Sequence, residues 1–128
     1  MSEPEFIFVY GLLMRGLELH HHMEAGTFVA AAATKGTLVS VGRYPGLVDG
    51  SGAVAGEVYR FADLPAALDV LDDVEEFDAT DPQASEYLRV SRPVKLDDGR
   101  EVIAWLYLYN RAVKGLPVIK TGDWRKRA

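Results

Sequence analysis

The stretch EYLRVSRPVKLDDGREVIAWLYLY, residues 86–109, contains two runs rich in β-branched and aromatic residues. Asp97-Asp98-Gly99 separates the two runs. An Asp-Gly pair in this position is a strong signal for a β-hairpin, because glycine adopts the positive φ that a tight turn needs. We therefore predict a strand over 86–96 and a returning strand over 101–109.

Further strands are predicted on the N-terminal side of this hairpin. Phe6 to Tyr10 is a short aromatic and β-branched run that stops at a glycine. Thr27 to Val41 reads as one long strand, bent around Lys35-Gly36. Glycines and a proline between 42 and 52 indicate turns, so we expect a short strand within 44–48 and another over 53–61.

One segment, Asp63 to Phe77, changes from a period of two to a period of about 3.6, which predicts a helix. Asp63 is a suitable N-cap and Pro65 is tolerated in the first turn. The tail, Arg111 to Ala128, is expected to cover the domain as irregular structure. About six strands with one helix predict an α+β class, with a mixed, mainly antiparallel sheet that curls into a small barrel.

Length and composition limit the range of functions. The chain has 128 residues, is 48% hydrophobic and carries a net charge of −5, which fits a single domain over 1–128 and gives no positive field for nucleic acid. It has no cysteine, so we expect a reducing cytoplasm. The acidic N-terminus does not resemble a secretory signal, and the uncharged stretch 25–34 is too short to span a membrane.

Glu75 breaks the amphipathic pattern of the predicted helix. On a helical wheel at about 100° per residue, its direction falls between Leu68 and Leu71, on the apolar side. The other acidic residues of the segment fall on the opposite, solvent side: Asp69, Asp72, Asp73 and Glu76. A carboxylate directed toward the core must be hydrogen-bonded, neutralised or open to a cavity. We weigh two interpretations: a general base with a raised pKa, or a frayed last turn in which Glu75 is half-exposed or forms a structural ion pair with Arg89.

A glycine-flanked loop, residues 10–16, follows the first predicted strand. Its backbone N–H groups are able to form an anion-binding nest, but two glycines beside a strand also occur in ordinary turns. The loop lacks the lysine and the glycine spacing of a P-loop or a dinucleotide fingerprint.

Seven motifs occur in a fixed order along the chain, beginning with the glycine loop. They are Tyr10-Gly11-Leu12-Leu13 with Arg15-Gly16, Tyr44-Pro45-Gly46-Leu47-Val48, Gly56-Glu57-Val58-Tyr59, Leu71-Asp72-x-x-Glu75, Tyr87-x-Arg89, Ala104-Trp105-x-Tyr107-x-Tyr109-Asn110 and Ile119-x-x-Gly122-Asp123-Trp124. Together they resemble the gamma-glutamylcyclotransferase superfamily, in particular its gamma-glutamylamine cyclotransferase and AIG2-like branch.

The resemblance implies a small mixed barrel with a cavity at its mouth and no metal or organic cofactor. It implies that the α-amine of a gamma-glutamyl compound attacks its own side-chain carbonyl, releasing 5-oxoproline and an amine, with Glu75 as general base and then acid. The chain departs from the family at Leu12, where Ser or Thr is frequent, at Glu76, where glycine is frequent, and in a long acidic link over 77–86. The substrate-binding residues it implies are Tyr10, Gly11, Leu12, Leu13, Tyr44, Pro45, Gly46, Tyr87 and Arg89.

Other polar clusters carry weaker signals. His20-His21-His22 lacks the spacing of a metal site, so we expect loop or solvent roles. Trp105, Tyr107 and Tyr109 alternate and are expected in the core or the cavity wall, and the basic end 124–127 is expected to be solvated. Two alternatives to an enzyme remain: a module that binds a small anionic glutamyl-like ligand without turnover, and a filled barrel with no cavity.

Overall fold

The computed structural model describes residues 4–127, which form a closed barrel of five strands with one α-helix. The predicted α+β class and mixed barrel are confirmed, with five strands in place of about six. Around the barrel the strand order is β1-β3-β2-β4-β5. The bounds are β1 (Phe6–Val9), β2 (Thr27–Ser40), β3 (Pro45–Arg60), α1 (Leu64–Val74), β4 (Tyr87–Leu96) and β5 (Glu101–Tyr109), with 3-10 turns at His20–Met23, Pro82–Ala84 and Trp124–Lys126.

Strand β1 makes the barrel mixed. It is antiparallel to β3 and parallel to β5, where Ile7 lies opposite Trp105, while the other neighbouring strands are antiparallel. With partners on both sides β1 is a central strand, which accounts for its short, almost wholly apolar sequence. Ile7 and Phe8 are fully buried. The glycine loop therefore begins at a rigid, internal point of the barrel.

The hairpin predicted from 86–109 is confirmed. β4 and β5 pair from Tyr87–Tyr109 to Lys95–Glu101. Gly99 in the turn has φ 92°, the left-handed conformation that favours glycine.

The prediction of two separate strands over 44–61 is wrong, because β3 runs without a break over sixteen residues. Its pairing with β2 jumps from Thr37–Val48 to Lys35–Ala53, so the glycines of 49–52 form an irregularity inside a strand. A Cβ on Gly50 would lie 2.0 Å from the Thr37 hydroxyl oxygen. Glycine is needed here for close approach of two strands rather than for a turn.

Helix α1 begins as the sequence predicts and ends earlier. The Asp63 side chain accepts a hydrogen bond from the Ala66 backbone N–H at 3.2 Å, which confirms the N-cap. Leu68 and Leu71 bury the apolar side against the barrel. The helix ends at Val74 rather than Phe77.

The tail after β5 is irregular, as predicted, but it is fixed to the barrel. The Ile119 N–H donates to the Leu38 carbonyl at 2.8 Å, and the Gly122 carbonyl accepts from the Ala55 N–H at 2.8 Å. Trp124 is 2% exposed, so the prediction of a solvated basic end is wrong for this residue. The tail contributes to the core of the barrel.

Candidate active site

A cavity of about 200 Å³ lies where the loop after β1, the start of β3, the end of α1 and the start of β4 meet. Pockets for drug-sized ligands are usually about 300–1,000 Å³. This cavity therefore suits a group of roughly amino-acid size. The alternative of a filled barrel without a cavity is wrong.

The structure brings together most of the residues that the sequence singled out. Two of them, Gly46 and Arg89, do not line the cavity. The others form part of its wall: Tyr10, Gly11, Leu12, Leu13, Tyr44, Pro45, Glu75 and Tyr87.

Glu75 is held at the cavity by the end of the helix. It is the C-cap of α1, and the next residue, Glu76, has a positive φ of 54°. The Phe77 N–H donates to the Asp72 carbonyl at 2.8 Å and the Glu76 N–H to the Asp73 carbonyl at 3.2 Å, which together form a Schellman motif. The left-handed conformation at position 76 explains in physical terms why glycine is favoured there, and why the helix stops short of Phe77.

The Glu75 carboxylate has no hydrogen-bond partner among residues 4–127. Desolvation by burial, with a further contribution from the negative charge of Glu86, raises its pKa from 4.5 to about 7. A carboxylate with this pKa is about half ionised at neutral pH, so it is able both to accept and to donate a proton.

Arg89 does not pair with Glu75, so that structural interpretation of Glu75 is wrong. The Arg89 guanidinium donates to both carboxylate oxygens of Asp72, at 2.8 and 3.2 Å. The Tyr107 hydroxyl donates to the same carboxylate at 2.7 Å. Asp72, which the wheel placed on the solvent side, thereby joins α1 to β4 and β5.

In the loop 11–13, the backbone carbonyls are hydrogen-bonded within the described chain, whereas the backbone N–H groups are not. Its three carbonyls all accept hydrogen bonds: Gly11 from the Met14 N–H at 3.0 Å, Leu12 from the Leu19 N–H at 2.9 Å and Leu13 from His20 Nδ1 at 2.9 Å. In the described part of the chain, nothing accepts from the N–H groups of the same three residues. Three unpaired donors at a cavity form a suitable site for an anionic oxygen.

Glu57 holds the far end of this loop. It is 6% exposed and accepts hydrogen bonds from the Arg15 backbone N–H at 2.9 Å, the Arg15 Nε at 3.2 Å and the Tyr59 hydroxyl at 2.9 Å. An Arg125 guanidinium N–H from the tail lies 3.4 Å from the same carboxylate. Arg125 remains exposed, with 38% of its side chain accessible, as the prediction of a solvated basic end requires, although its guanidinium also contacts this buried carboxylate.

Tyrosine hydroxyls fix the walls of the cavity. Tyr87 donates to the Pro45 carbonyl at 2.7 Å, and Tyr10 donates to the Tyr107 carbonyl at 2.6 Å. Tyr107 is buried and lines the cavity, as expected. These bonds leave the aromatic faces as a shaped and rigid wall.

Gly46 has a packing role. A Cβ at this position would lie 2.7 Å from Cβ and Cγ of Tyr109, so only glycine lets β3 approach that side chain.

Sequence reasoning missed two further carboxylates at the cavity. Glu86 lines it, and its Oε2 accepts a hydrogen bond from the Tyr44 hydroxyl at 2.6 Å. Glu76 also lines it, although the wheel placed this residue on the solvent side. The only sequence signal that the helix ends there was the resemblance, since the family often has glycine where this chain has Glu76.

The histidines give no indication of a metal site. Within residues 4–127 no group of three or more potential ligands is close enough to hold a metal ion. Likewise, none of the helices described there is long and apolar enough to cross a membrane.

Comparisons with known proteins agree with this geometry. The family model described as gamma-glutamyl cyclotransferase, AIG2-like, matches residues 7–126. The gamma-glutamylcyclotransferase family protein YtfP of Escherichia coli (strain K12) is 36% identical over 122 residues, which cover 94% of this chain and 96% of that protein.

Solved structures show the same fold. An AIG2-like protein from Mus musculus superposes with a TM-score of 0.69 at 27% identity, covering 91% of this chain and 86% of that one. YkqA from Bacillus subtilis gives a TM-score of 0.75 at 26% identity, covering 97% of this chain but 40% of the longer YkqA chain. The chain belongs to the gamma-glutamyl cyclotransferase, AIG2-like family.

Proposed function

We propose that this chain is a cofactor-independent cyclotransferase that converts a gamma-glutamyl amine, or a related gamma-glutamyl compound, to 5-oxoproline and the free amine. One observation supports the proposal: Glu75, whose carboxylate has no partner among the described residues, lines the same cavity as Gly11, Leu12 and Leu13, whose backbone N–H groups are also without a partner there. Membership of the family supports the class of reaction.

In the proposed reaction, Glu75 accepts a proton from the α-ammonium of the substrate. The α-nitrogen then forms a bond to the carbon of the side-chain amide, which gives a tetrahedral intermediate with a negative oxygen. The bond from that carbon to the leaving nitrogen breaks as Glu75 returns the proton to the leaving amine. The ring nitrogen then gives up its second proton, which Glu75 passes on, so that the products are 5-oxoproline and the released ammonium. No water is consumed, and the atoms of the two products add up to those of the substrate.

The pKa of Glu75 suits this proton transfer. An α-amino group has a pKa of about 8, and a base works best when its own pKa lies close to that of its partner and to the working pH. Burial brings the pKa of Glu75 to about 7, which narrows the gap by more than two units compared with an ordinary glutamate at 4.5.

The loop N–H groups are assigned to oxygen atoms of the glutamyl part. They are backbone donors with fixed positions, so they are able to bind the α-carboxylate or the developing oxyanion without reorganisation. Leu12 lacks the hydroxyl that relatives often have at this position, but its backbone N–H remains available. Folding the substrate into the attacking geometry supplies the remaining acceleration, because both reacting groups belong to one molecule.

The test combines product analysis with one substitution. Incubation with gamma-glutamyl amines in H₂¹⁸O should give 5-oxoproline without ¹⁸O, whereas a hydrolase would give labelled glutamate. Glu75→Gln should reduce kcat by about 10²–10⁴-fold, the usual contribution of a general acid–base group. Asp73→Asn removes one charge from an exposed residue at the same helix end and serves as the matched control.

The alternative of a binding module gives a different result in the same samples. Saturable binding of a gamma-glutamyl compound by calorimetry, with no 5-oxoproline formed, would replace the enzyme by a ligand-binding protein. A Glu75→Gln variant as active as the wild type would remove Glu75 from the mechanism.

A further inference from the structure

The backbone carbonyl of Leu13 has a single hydrogen-bond partner among residues 4–127, and that partner is a side chain. His20 Nδ1 lies 2.9 Å from this oxygen, at the start of the 3-10 turn His20–Met23. A carbonyl oxygen only accepts hydrogen bonds, so Nδ1 carries a proton and donates it. Leu13 is 4% exposed, which leaves little room for water to replace this donor. The Leu13 carbonyl therefore depends on His20.

The peptide group that His20 holds also orients a donor of the candidate active site. The peptide groups of this loop are trans, so the carbonyl and the N–H of each group point in opposite directions. The Leu13 carbonyl shares its peptide group with the Met14 N–H, which donates to the Gly11 carbonyl at 3.0 Å. The Gly11 carbonyl in turn shares its peptide group with the Leu12 N–H. Two successive hydrogen bonds therefore connect His20 to the peptide group that carries the Leu12 donor.

The residue before His20 fixes the other peptide group of this loop. The Leu19 N–H donates to the Leu12 carbonyl at 2.9 Å, and that peptide group carries the Leu13 N–H. Leu19 and His20 are neighbours in the chain, so one short segment determines the directions of two of the N–H groups at the cavity.

The His20 ring is itself held in place. It packs against the ring of Tyr59 with the centroids 6.0 Å apart, and Tyr59 is 2% exposed. Met23, at the other end of the same turn, is 1% exposed and attaches the turn to the core. The side chains of His21 and His22 lie against each other, with centroids 4.1 Å apart, and within the described part of the chain they make no hydrogen bond to the loop. The three adjacent histidines are therefore not equivalent.

Resting on the proposed function, we propose that His20 is a positioning residue of the cyclotransferase: its Nδ1–H holds the Leu13 carbonyl and thereby directs the Leu12 N–H into the cavity. His20 acts through the loop, since it is not among the described residues that line the cavity. A donor that is aimed in advance stabilises a developing negative oxygen without reorganisation. Without His20 a buried carbonyl loses its partner, which favours turning the peptide group toward another donor.

The test removes the Nδ1 donor and then restores it. Asparagine carries an amide nitrogen on Cγ, as histidine carries Nδ1, whereas the amide nitrogen of glutamine lies one carbon further out and that of leucine is absent. We expect kcat/KM for 5-oxoproline formation to fall about tenfold or more in His20→Leu and His20→Gln, because a small misplacement of a catalytic group costs up to about 10²-fold. His20→Asn should stay within about threefold of the wild type, since the donor is restored.

Two controls exclude a loss of folded protein as the cause. Rates are measured where urea unfolding shows every variant to be fully folded, so that a smaller folded fraction does not lower kcat. His21→Asn makes the same substitution at the exposed neighbouring position and should leave kcat/KM unchanged.

A spectroscopic measurement tests the hydrogen bond without an activity assay. The ¹⁵N chemical shifts of an imidazole distinguish a protonated ring nitrogen from an unprotonated one. We expect the neutral ring of His20 to carry its proton on Nδ1. A neutral ring that is protonated on Nε2 would be unable to donate to the Leu13 carbonyl and would overturn the inference.

The outcomes separate the inference from the proposed function. A folded His20→Leu variant as active as the wild type would overturn the inference while 5-oxoproline formation still supports the cyclotransferase. Equal losses in His20→Leu and His20→Asn would also overturn it, because the restored donor would then have no effect. If the wild type forms no 5-oxoproline from any gamma-glutamyl compound, the proposed function is removed, and with it the role of His20, even where the ring carries its proton on Nδ1.

Discussion

Two glutamates lie in opposite surroundings: Glu57 in β3 is buried and hydrogen-bonded, whereas Glu75 at the end of α1 is half-buried at the edge of the cavity. Burial acts to raise the pKa of Glu57, but hydrogen bonds from Arg15 and from Tyr59 of the same strand, with the positive charge of Arg15, hold that pKa below 4.5. Glu75 has no such partner among the described residues, and desolvation raises its pKa to about 7. Burial alone therefore does not decide what a carboxylate does, because the supply of donors decides it.

The difference divides the molecule into a supporting region and a reactive one. Partners keep Glu57 ionised and fixed, so it joins the glycine loop, β3 and the tail without taking part in proton transfer. The same lack of partners that makes Glu75 costly to ionise makes it able to exchange protons with a ligand. The loop that Glu57 holds at Arg15 is the one whose N–H groups face the ligand in our proposal.

The same Glu→Gln substitution, made separately at the two residues, should change the free energy of unfolding very differently. The largest loss is expected at Glu57. Glu57→Gln should lower the free energy of unfolding by about 3 kcal/mol, the lower end of the cost of breaking a buried ion pair, because both arginines are partly exposed. Glu75→Gln at pH 8 should leave it unchanged or raise it, because no bond is lost and a desolvated charge is removed. Urea unfolding of both variants at pH 8 measures this, and equal losses would contradict the comparison.

The pH dependence of stability should differ between the same two groups. The folded-state pKa of Glu75 lies above its unfolded value of 4.5, so the folded state binds more protons and loses stability as the pH rises from about 4.5 to about 7. Glu57 has a lowered pKa, so its stabilisation is present above 4.5 and is lost as the pH falls through its folded-state value.

Urea unfolding from pH 3.5 to 8 checks both signs. The free energy of unfolding of Glu75→Gln, relative to wild type, should rise by about 2 kcal/mol between pH 4.5 and 7. This is less than the shift of the Glu75 pKa from 4.5 to about 7 would give in full, at about 1.4 kcal/mol per pKa unit. The deficit of Glu57→Gln should shrink as the pH falls below 4.5, because the folded-state pKa of Glu57 is lowered. A flat difference for Glu75→Gln across pH 4.5–7 would show that its pKa is not raised.

Local patterns in the sequence predicted the parts of this arrangement that depend on neighbours along the chain. The Asp-Gly turn, the Asp63 cap and the inward direction of Glu75 all follow from periods or pairs within one element. The wheel succeeded for Glu75 because the helix keeps its geometry up to the C-cap. It failed for Glu76, where a positive φ ends that geometry.

Contacts between distant segments could not be predicted in this way. Arg15 and Arg125 reach Glu57 across 42 and 68 positions in the chain, and no period links them. Glu86 reads as an ordinary polar residue before a strand, and its position at the cavity depends on how the link 77–86 folds back. One interpretation paired Arg89 with Glu75 rather than with Asp72, because no local period decides which carboxylate near the end of α1 a residue of β4 reaches.

Asp72 lies between the two extremes, and its ion pair with Arg89 gives the smallest effect. Both side chains are about one-fifth exposed, at 19% and 20%, so Arg89→Gln should lower the free energy of unfolding by about 1 kcal/mol. Arg92→Gln, in the same strand but 42% exposed and 3.8 Å from Asp49, should cost less than about 0.5 kcal/mol.

Arg89 either binds only the protein or also contacts the substrate, and the effect of Arg89→Gln on KM for the best gamma-glutamyl substrate distinguishes the two. A change below about twofold fits a residue that binds only the protein, whereas a rise of tenfold or more would make Arg89 a substrate contact, because a lost charge-assisted bond to substrate costs about that much.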